Sequence, residues 1–419
     1  MGGRVIDPAS GRDEVADVVI EGGRIVERAT EQHESVIDVS GYVVAPGVVD
    51  LHCHLREPGF EDAETIASGT RAAAAGGFTT VCALADTRPS ADTGSDVEAL
   101  LTQARRDAVV RVLPVGTTTK QREGCELSEM ADMTDVGAVA FSDDGRAVRS
   151  ARLMRHALEY SLLVERPISS HAEDADLVDG GVMHEGPLAT VLGLKGIPRE
   201  AEEIAVARDL ALARLTGGRL HLAHLSTAGA VEQVRRARAS GVRVTAEVAP
   251  HNLLLSDAAI AERAYDTNAR TDPPLRPAED AEALIEGLRD GTIDCIATDH
   301  SPRRWIDKAC EFDQALPGIS GLETAFGLLM RLVHGGKLSL RELIAALSER
   351  PARAWSLPYG TLAPGSAADV VVLDPDQAWV VDPDRFLSKG KNSPLRGQTL
   401  RGTVVLTIAN GEIVYRNGL

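Results

Sequence analysis

The middle of the chain alternates short apolar runs with longer amphipathic stretches, and this alternation predicts repeated strand–helix units. Eight runs rich in β-branched residues predict strands at 47–54, 79–85, 109–116, 137–143, 166–171, 219–225, 243–249 and 293–300. Helix-period segments such as 64–75 and 228–240 separate most of them. Repeated strand–helix units favour a parallel sheet with right-handed crossovers, and eight of them close into a (β/α)8 TIM barrel.

Polar residues at the strand ends favour the barrel over an open, doubly wound sheet. No GxGxxG motif opens a helix after the first strand, as the doubly wound alternative would favour. Several strands instead end in chemically capable side chains, which are His54, the Asp143–Asp144 pair, His171, His224 and Asp299. In a barrel, the carboxyl ends of all strands face one mouth, so these residues are expected to converge.

The two ends of the chain differ from its middle. Residues 1–46 and 362–419 contain short alternating strands with Gly, Asn and Asp turns. Each segment alone is too small for a stable core. We therefore expect both to pack together as one small β-sandwich beside a barrel that spans 47–361.

Composition narrows the classes of partner and the compartment. The 44 basic and 62 acidic residues give a formal charge of −18, which argues against nucleic acid or an anionic membrane surface as partner. Five cysteines without a CxxC pattern argue against a disulfide framework. The start MGGRVIDPAS has no apolar signal region, and no apolar run is long enough to span a bilayer. We expect a cytoplasmic protein that acts on a small molecule.

A pair of histidines on the first predicted strand indicates a metal site. His52 and His54 are two residues apart, so strand geometry puts both imidazoles on one face, where they suit a divalent ion such as zinc. Buried imidazoles and carboxylates are costly unless they are paired or metal-bound, which favours a shared site with His171, His224 and Asp299. We interpret His221 as structural and assign no role to His33, His156, His184 or His334.

Motifs along nearly the whole chain resemble the amidohydrolase superfamily and, within it, the type I dihydroorotases. They are DLHCHLREPG, AGGFTTV, FSDDG, SSHAED, HLAHLSTAG, EVAPHNLLL, PPLR, ATDHSP, GLETAF and LAPGSAADVVVLD, in that order. The resemblance implies a barrel with a β-sandwich and one or two zinc ions held by His52, His54, Asp144, His171, His224 and Asp299. Many relatives carry a carboxylated lysine on strand 4, but here Asp144 takes that place, as in type I dihydroorotases.

The same resemblance implies hydrolysis or closure of a cyclic amide or ureide, with dihydroorotate and carbamoyl aspartate as the best named pair. Asp299 is the expected catalytic residue, which takes the proton of water and passes it to the leaving nitrogen. Arg56 is the expected ligand of the substrate carboxylate. Gly318 ends a segment, from Pro302 onwards, that we expect to cover the mouth and border the substrate.

Three expected substrate-binding positions depart from the family pattern. Asp86 and Asp272 stand where the family usually has Asn, and Arg303 stands where it has His. An ionised carboxylate cannot donate to a substrate carboxylate, so one hypothesis is a different, cation-bearing cyclic amide or another amide in specialised metabolism. The alternative is that both acids pair with Arg303, Arg88 or another new arginine and leave the substrate unchanged.

Assembly adds two expectations. We expect a homo-oligomer, and a transcarbamoylase partner if the protein is a dihydroorotase. A non-catalytic assembly subunit is a third hypothesis, which the intact set of six predicted metal ligands disfavours.

Overall fold

The structure is a computed structural model that describes residues 1–28 and 35–418, and His33 therefore lies outside the described residues. The strands of the described ranges are β1 (Gly3–Asp7), β2 (Arg12–Ala16), β3 (Val19–Glu21), β4 (Arg24–Val26), β5 (Val43–Pro46), β6 (Val48–Cys53), β7 (Phe78–Ala83), β8 (Arg111–Gly116), β9 (Ala140–Phe141), β10 (Ile168–Ser170), β11 (Met183–His184), β12 (Gly196–Ile197), β13 (Leu220–Leu222), β14 (Val244–Val248), β15 (Cys295–Ile296), β16 (Val370–Val380), β17 (Thr399–Ala409) and β18 (Glu412–Arg416).

Several helices begin at threonine caps. The hydroxyls of Thr65, Thr93 and Thr227 accept hydrogen bonds from backbone N–H groups of the first turn, which otherwise lack partners. The helices are α1 (Ile66–Ala75), α2 (Gly94–Asp107), α3 (Met130–Asp135), α4 (Ala151–Val164), α5 (Ala175–Val178), α6 (Pro187–Leu192), α7 (Glu200–Thr216), α8 (Ala228–Ala239), α9 (Pro250–Leu254), α10 (Ala258–Glu262), α11 (Ala278–Arg289), α12 (Trp305–Lys308), α13 (Ala325–His334), α14 (Leu340–Leu347) and α15 (Glu349–Trp355).

Eight parallel strands form the central barrel, in the order β6-β7-β8-β9-β10-β13-β14-β15. A parallel bridge between Cys53 and His300 joins the first strand to the last, and the backbone N–H of His54 donates to the carbonyl of His300 at 2.9 Å. The predicted (β/α)8 fold and its eight strands are confirmed. Most of the strands are shorter than predicted, and several of them are shorter at both ends. At the carboxyl ends, polar residues such as His54, His171, His224 and Asp299 lie beyond the last residue of the strand.

Both ends of the chain build one second sheet, in the order β18-β17-β16-β5-β1-β2. Its seam is the β5–β16 pair, which runs antiparallel from the Val43–Leu373 partners to the Pro46–Val370 partners. The β3–β4 hairpin covers this sheet, with Ile25 in the same buried cluster as Val370 and Leu406. The predicted joining of the two ends is confirmed, whereas the domain limits at 46 and 362 stay a prediction.

Within the described residues, no helix is both long enough and apolar enough to cross a bilayer.

Candidate metal centre and active site

The carboxyl ends of the barrel strands border a cavity of about 1280 Å³. The side chains and backbone that line it include His54, Arg56, Asp86, Asp144, Asp272, Asp299, Arg303 and Gly318, all of them predicted site residues. The remaining predicted residues, His52, His171 and His224, are buried and contact this set. The structure therefore brings every sequence-predicted site residue to one mouth.

The first histidine pair faces two carboxylates. The Nε2 atoms of His52 and His54 each lie 3.4 Å from an oxygen of Asp144 and 3.8 Å from Oδ1 of Asp299. The two rings stand edge to face with centroids 5.5 Å apart. Both carboxylates thus lie close to both imidazoles, although the two acids are far apart in the sequence.

The second histidine pair shares Asp144. His171 Nδ1 lies 2.9 Å from His224 Nε2, and these atoms are 3.5 and 3.2 Å from Oδ1 of Asp144. The neighbouring Asp143 turns elsewhere, because its Oδ1 accepts the backbone N–H groups of Thr118 and Thr119 at 2.8 and 3.0 Å. Of the two adjacent acids, Asp144 is the one that faces the histidines.

This donor set fits a divalent metal ion. Three groups of three have ligand atoms within 4.8 Å of one another, which are His52 with His54 and Asp299, His52 with Asp144 and His224, and His171 with Glu173 and Asp272. His52 Nε2 is buried and has no hydrogen-bond partner in the described chain. Imidazole nitrogens and carboxylate oxygens are ligands that zinc accepts, and buried donors of this kind are costly when unpaired.

The electrostatics of the site also favour a cation. Burial alone would raise the pKa of Asp144, but the surrounding histidines hold it well below its usual range. Burial by itself would lower the pKa of His52. The nearby carboxylates of Asp144 and Glu247 outweigh that effect and raise the pKa well above its ordinary value. The carboxylates therefore stabilise positive charge where the imidazoles meet.

Strained backbone accompanies three of the predicted site residues. Arg56, His224 and Asp299 have backbone φ angles of 62°, 33° and 49°. These values lie in the left-handed region, which residues other than glycine rarely adopt. Such conformations cost on the order of 1–3 kcal/mol each and persist where the surroundings hold them. At these strand ends the backbone bends to point the side chains into the mouth.

A buried carboxylate that sequence reasoning missed holds His52 from behind. Glu247, on β14, lies 2.8 Å from His52 Nδ1 and 3.1 Å from His221 Nε2. His221 Nδ1 in turn lies 2.8 Å from the hydroxyl of Thr245. The only signal in the sequence is a carboxylate inside a predicted barrel strand. Its contact with His221 also explains why that histidine can be buried.

Arg56, which was expected to bind the substrate carboxylate, already has a carboxylate partner within the protein. Its Nη1 donates to Asp86, its Nη2 donates to the hydroxyl of Ser301 at 2.7 Å, and its Nε donates to the carbonyl of Pro302 at 3.3 Å. The other oxygen of Asp86 lies 2.9 Å from His54 Nδ1. Burial would raise the pKa of Asp86, but Arg56 and His54 hold it below its usual range.

The other two departures from the family pattern lie apart from Asp86. Asp272 Oδ1 is 3.8 Å from His171 Nε2, and Glu173 Oε2 lies 3.5 Å from the same nitrogen. About a third of the Asp272 side chain is exposed (33%). Arg303 donates from Nε to the carbonyl of Pro317 at 2.7 Å. Neither pairs with Asp86, whose partner is Arg56, the arginine of the family pattern. Asp272 forms no ion pair with an arginine of the described residues, so the internal pairing is found for one of the two acids and with an arginine that is not new.

One asparagine from the C-terminal part of the chain fastens the segment 302–318, which the sequence analysis did not foresee. Oδ1 of Asn392 accepts the backbone N–H of Arg303 at 2.9 Å, and its Nδ2 donates to the carbonyls of Ser301 and Gly318 at 3.0 and 2.9 Å. The N–H of Gly318 donates to the carbonyl of Arg270. Gly318, at φ 134°, would bring an added Cβ within 2.5 Å of Ser301.

Comparison with known proteins defines the class. Residues 199–415 match the model of the amidohydrolase family, and 41–230 match that of the dihydro-orotase-like family. The L-hydantoinase (dihydropyrimidinase) from Arthrobacter aurescens superposes with a TM-score of 0.89 at 27% identity, covering 100% of this chain and 96% of its own. A D-hydantoinase from a Bacillus sp. AR9 gives 0.86 at 26%, covering 99% and 94%. Fold and site define a hydrolase of cyclic amide C–N bonds.

Sequence relatives narrow the family. The dihydroorotase of Anaeromyxobacter sp. (strain K) is 51% identical over 421 residues, which cover 100% of this chain and 97% of the relative. That of Syntrophus aciditrophicus (strain SB) is 48% identical over 420 residues, covering 99% and 98%. The chain belongs to the dihydroorotase family. Membership implies a divalent metal ion, which agrees with the donor set described above.

Proposed function

We propose that this chain is a zinc-dependent dihydroorotase that interconverts dihydroorotate and carbamoyl aspartate. The observation that carries the proposal is the meeting of four imidazoles and two carboxylates beside an arginine-bearing cavity. Full-length relatives named dihydroorotase support the choice of substrate. The proposed ligands of one or two zinc ions are His52, His54, Asp144, His171, His224 and Asp299.

The six proposed ligands would hold zinc, which when bound would supply a Lewis acid to polarise the ring carbonyl and to lower the pKa of water. Asp299 accepts the proton of the attacking water and donates it to the leaving ring nitrogen. Its Oδ2 lies 3.5 Å from His251 Nε2, so His251 orients the carboxylate while Oδ1 faces the histidine pair. The rim that carries the two arginines receives the substrate carboxylate, and Asp272 and Gly318 border the ring.

Turnover by the purified, zinc-loaded chain tests the proposal in both directions, by dihydroorotate hydrolysis and by carbamoyl aspartate cyclisation. Asp299→Asn should abolish both while circular dichroism stays unchanged. Asp376→Asn, an exposed carboxylate on β16, is the matched control and should keep full activity. Activity retained in Asp299→Asn would contradict its role in proton transfer.

A second candidate is a relative with an altered substrate, which the carboxylate of Asp86 inside the rim favours because it cannot donate to an anion. Comparison of dihydroorotate with the uncharged rings dihydrouracil and hydantoin separates the two. A kcat/KM for dihydroorotate at least tenfold above both supports the first proposal. Preference for a neutral or amino-bearing ring supports the second.

Assembly is a further proposal: a homo-oligomer, with a transcarbamoylase as partner. Light scattering on the purified chain tests the first part, and co-purification with a transcarbamoylase tests the second. A non-catalytic assembly subunit would show neither stoichiometric zinc nor turnover of any cyclic amide.

A further inference from the structure

The rim of the cavity carries two arginines in different electrostatic situations. All three side-chain nitrogens of Arg56 already donate, and Asp86 neutralises its charge. Arg303 donates only from Nε, to the Pro317 carbonyl, and forms no ion pair with any carboxylate of the described residues. Of the two cations, Arg303 is the one whose terminal nitrogens are free to receive an anion.

Arg303 is also held in place before any ligand arrives. Its backbone N–H donates to Asn392 at 2.9 Å, and its Nε donates to the Pro317 carbonyl at 2.7 Å. These two bonds fix both ends of the side chain's stem and leave Nη1 and Nη2 for a planar, bidentate partner. A guanidinium fixed in this way loses little conformational freedom on binding.

The surroundings make an unpaired charge at this position unfavourable. Burial and the neighbouring Arg56 lower the pKa of Arg303 to about 10, against weaker opposition from Asp86, Asp307 and Asp299. A partly desolvated cation without a counter-ion gains from an anion of the right shape. Both Arg303 and Arg56 line the cavity that also contains Asp144 and Asp299.

We propose that Arg303 binds the substrate's carboxylate, and that the Arg56–Asp86 pair is a fixed internal unit that orients His54. The assignment rests on the proposed function for the identity of the substrate. It makes Arg303 the residue that determines preference for an anionic ring, whereas Arg56 contacts the substrate only when Asp86 is removed. The altered position 86 and the altered position 303 then act as one compensated pair.

The test compares dihydroorotate with uncharged dihydrouracil in four zinc-loaded variants. Arg303→Gln should lower kcat/KM for dihydroorotate by about 100-fold, through KM, and change that for dihydrouracil less than about threefold. For Arg303→Lys, kcat/KM for dihydroorotate should lie between the values of the unsubstituted chain and Arg303→Gln, because lysine keeps the charge but cannot donate two parallel hydrogen bonds. In the Arg303→Gln background, Asp86→Asn frees Arg56 and should recover about tenfold for dihydroorotate alone. Arg304→Gln, whose arginine is exposed and paired with Asp307, is the matched control.

Zinc content and thermal midpoint are measured for each variant, so that a misfolded protein is not mistaken for a weak binder. Unchanged discrimination between the two rings in Arg303→Gln and Arg303→Lys would overturn the assignment alone, as would a lack of rescue by Asp86→Asn. Failure of the unsubstituted chain to turn over dihydroorotate would overturn the proposed function and the assignment with it.

Discussion

The metal-facing set and the arginine rim occupy the same mouth but are built differently. His52, His171 and His224 stand at the ends of barrel strands, and contacts from other parts of the barrel, such as that of Glu247 on β14, fix them. Arg56 and Arg303 lie on loops and are held by other loop residues. In the proposed function, residues on the barrel strands therefore carry out the chemistry, whereas ion pairs and hydrogen bonds among the loops determine which substrate is accepted. One loop substitution can therefore be offset by another.

The largest effect is expected when a metal-facing carboxylate is removed. Asp144→Asn should lower kcat/KM by about 1000-fold and reduce bound zinc, because Asp144 faces all four histidines. Elemental analysis and steady-state kinetics measure both. Asp143→Asn is the neighbouring control: it should keep its zinc and lose stability only, since it serves the Thr118–Thr119 backbone. Loss of zinc from Asp143→Asn would contradict the division between them.

The next effect concerns the support of His52. Glu247→Gln removes the charge that holds both His52 and His221, and should weaken zinc affinity by about 10- to 100-fold. Competition with a chelator measures the affinity, with the exposed Glu412→Gln as control. Equal affinity in the two variants would show that the frame holds His52 without this carboxylate.

A smaller effect is expected at the fastening of the rim. Asn392→Ala leaves the N–H of Arg303 and the carbonyls of Ser301 and Gly318 without their partner, and should cost about 2 kcal/mol of unfolding free energy. KM should rise more than kcat falls, because the rim loosens while the metal centre is untouched. Faster amide hydrogen exchange confined to residues 302–318 would support this prediction, and a fall in kcat without a rise in KM would contradict it.

The smallest effect is a pH dependence of the same segment. Burial, with Arg303 and Arg270, lowers the pKa of Lys308 to about 7 from an ordinary 10.5, and Asp266 opposes them only weakly. Between these values the unfolded chain holds a proton that the folded chain releases, so stability should rise with pH from 7 to 10. We expect a gain of about 1 kcal/mol, since local opening limits the cost. Urea unfolding of Lys308→Met should lack this rise.

The barrel and most metal-facing residues could be predicted from the sequence because both depend on local patterns. Apolar runs mark the strands, and a polar residue where a run ends, as at His171 or Asp299, marks the mouth. Glu247 escaped prediction because its partner His52 lies 195 residues away and no local pattern links them. The Asp86–Arg56 pair escaped for a related reason: the sequence offered several arginines, and only the turn of the backbone at Arg56 selects one.

Asn392 ties the rim to a part of the chain that is synthesised after all the metal-facing residues. All six metal-facing residues have been synthesised by residue 299, yet the segment that carries Arg303 is not fastened until residue 392 arrives. The hydroxyl of Ser388 donates to Glu64, whose Oε2 also lies 3.4 Å from His300 Nε2. A chain cut short before residue 386 would still contain all six metal-facing residues and both arginines but would lack the hold on its rim. Of the site residues named above, the one that fastens the rim is therefore the last to be synthesised.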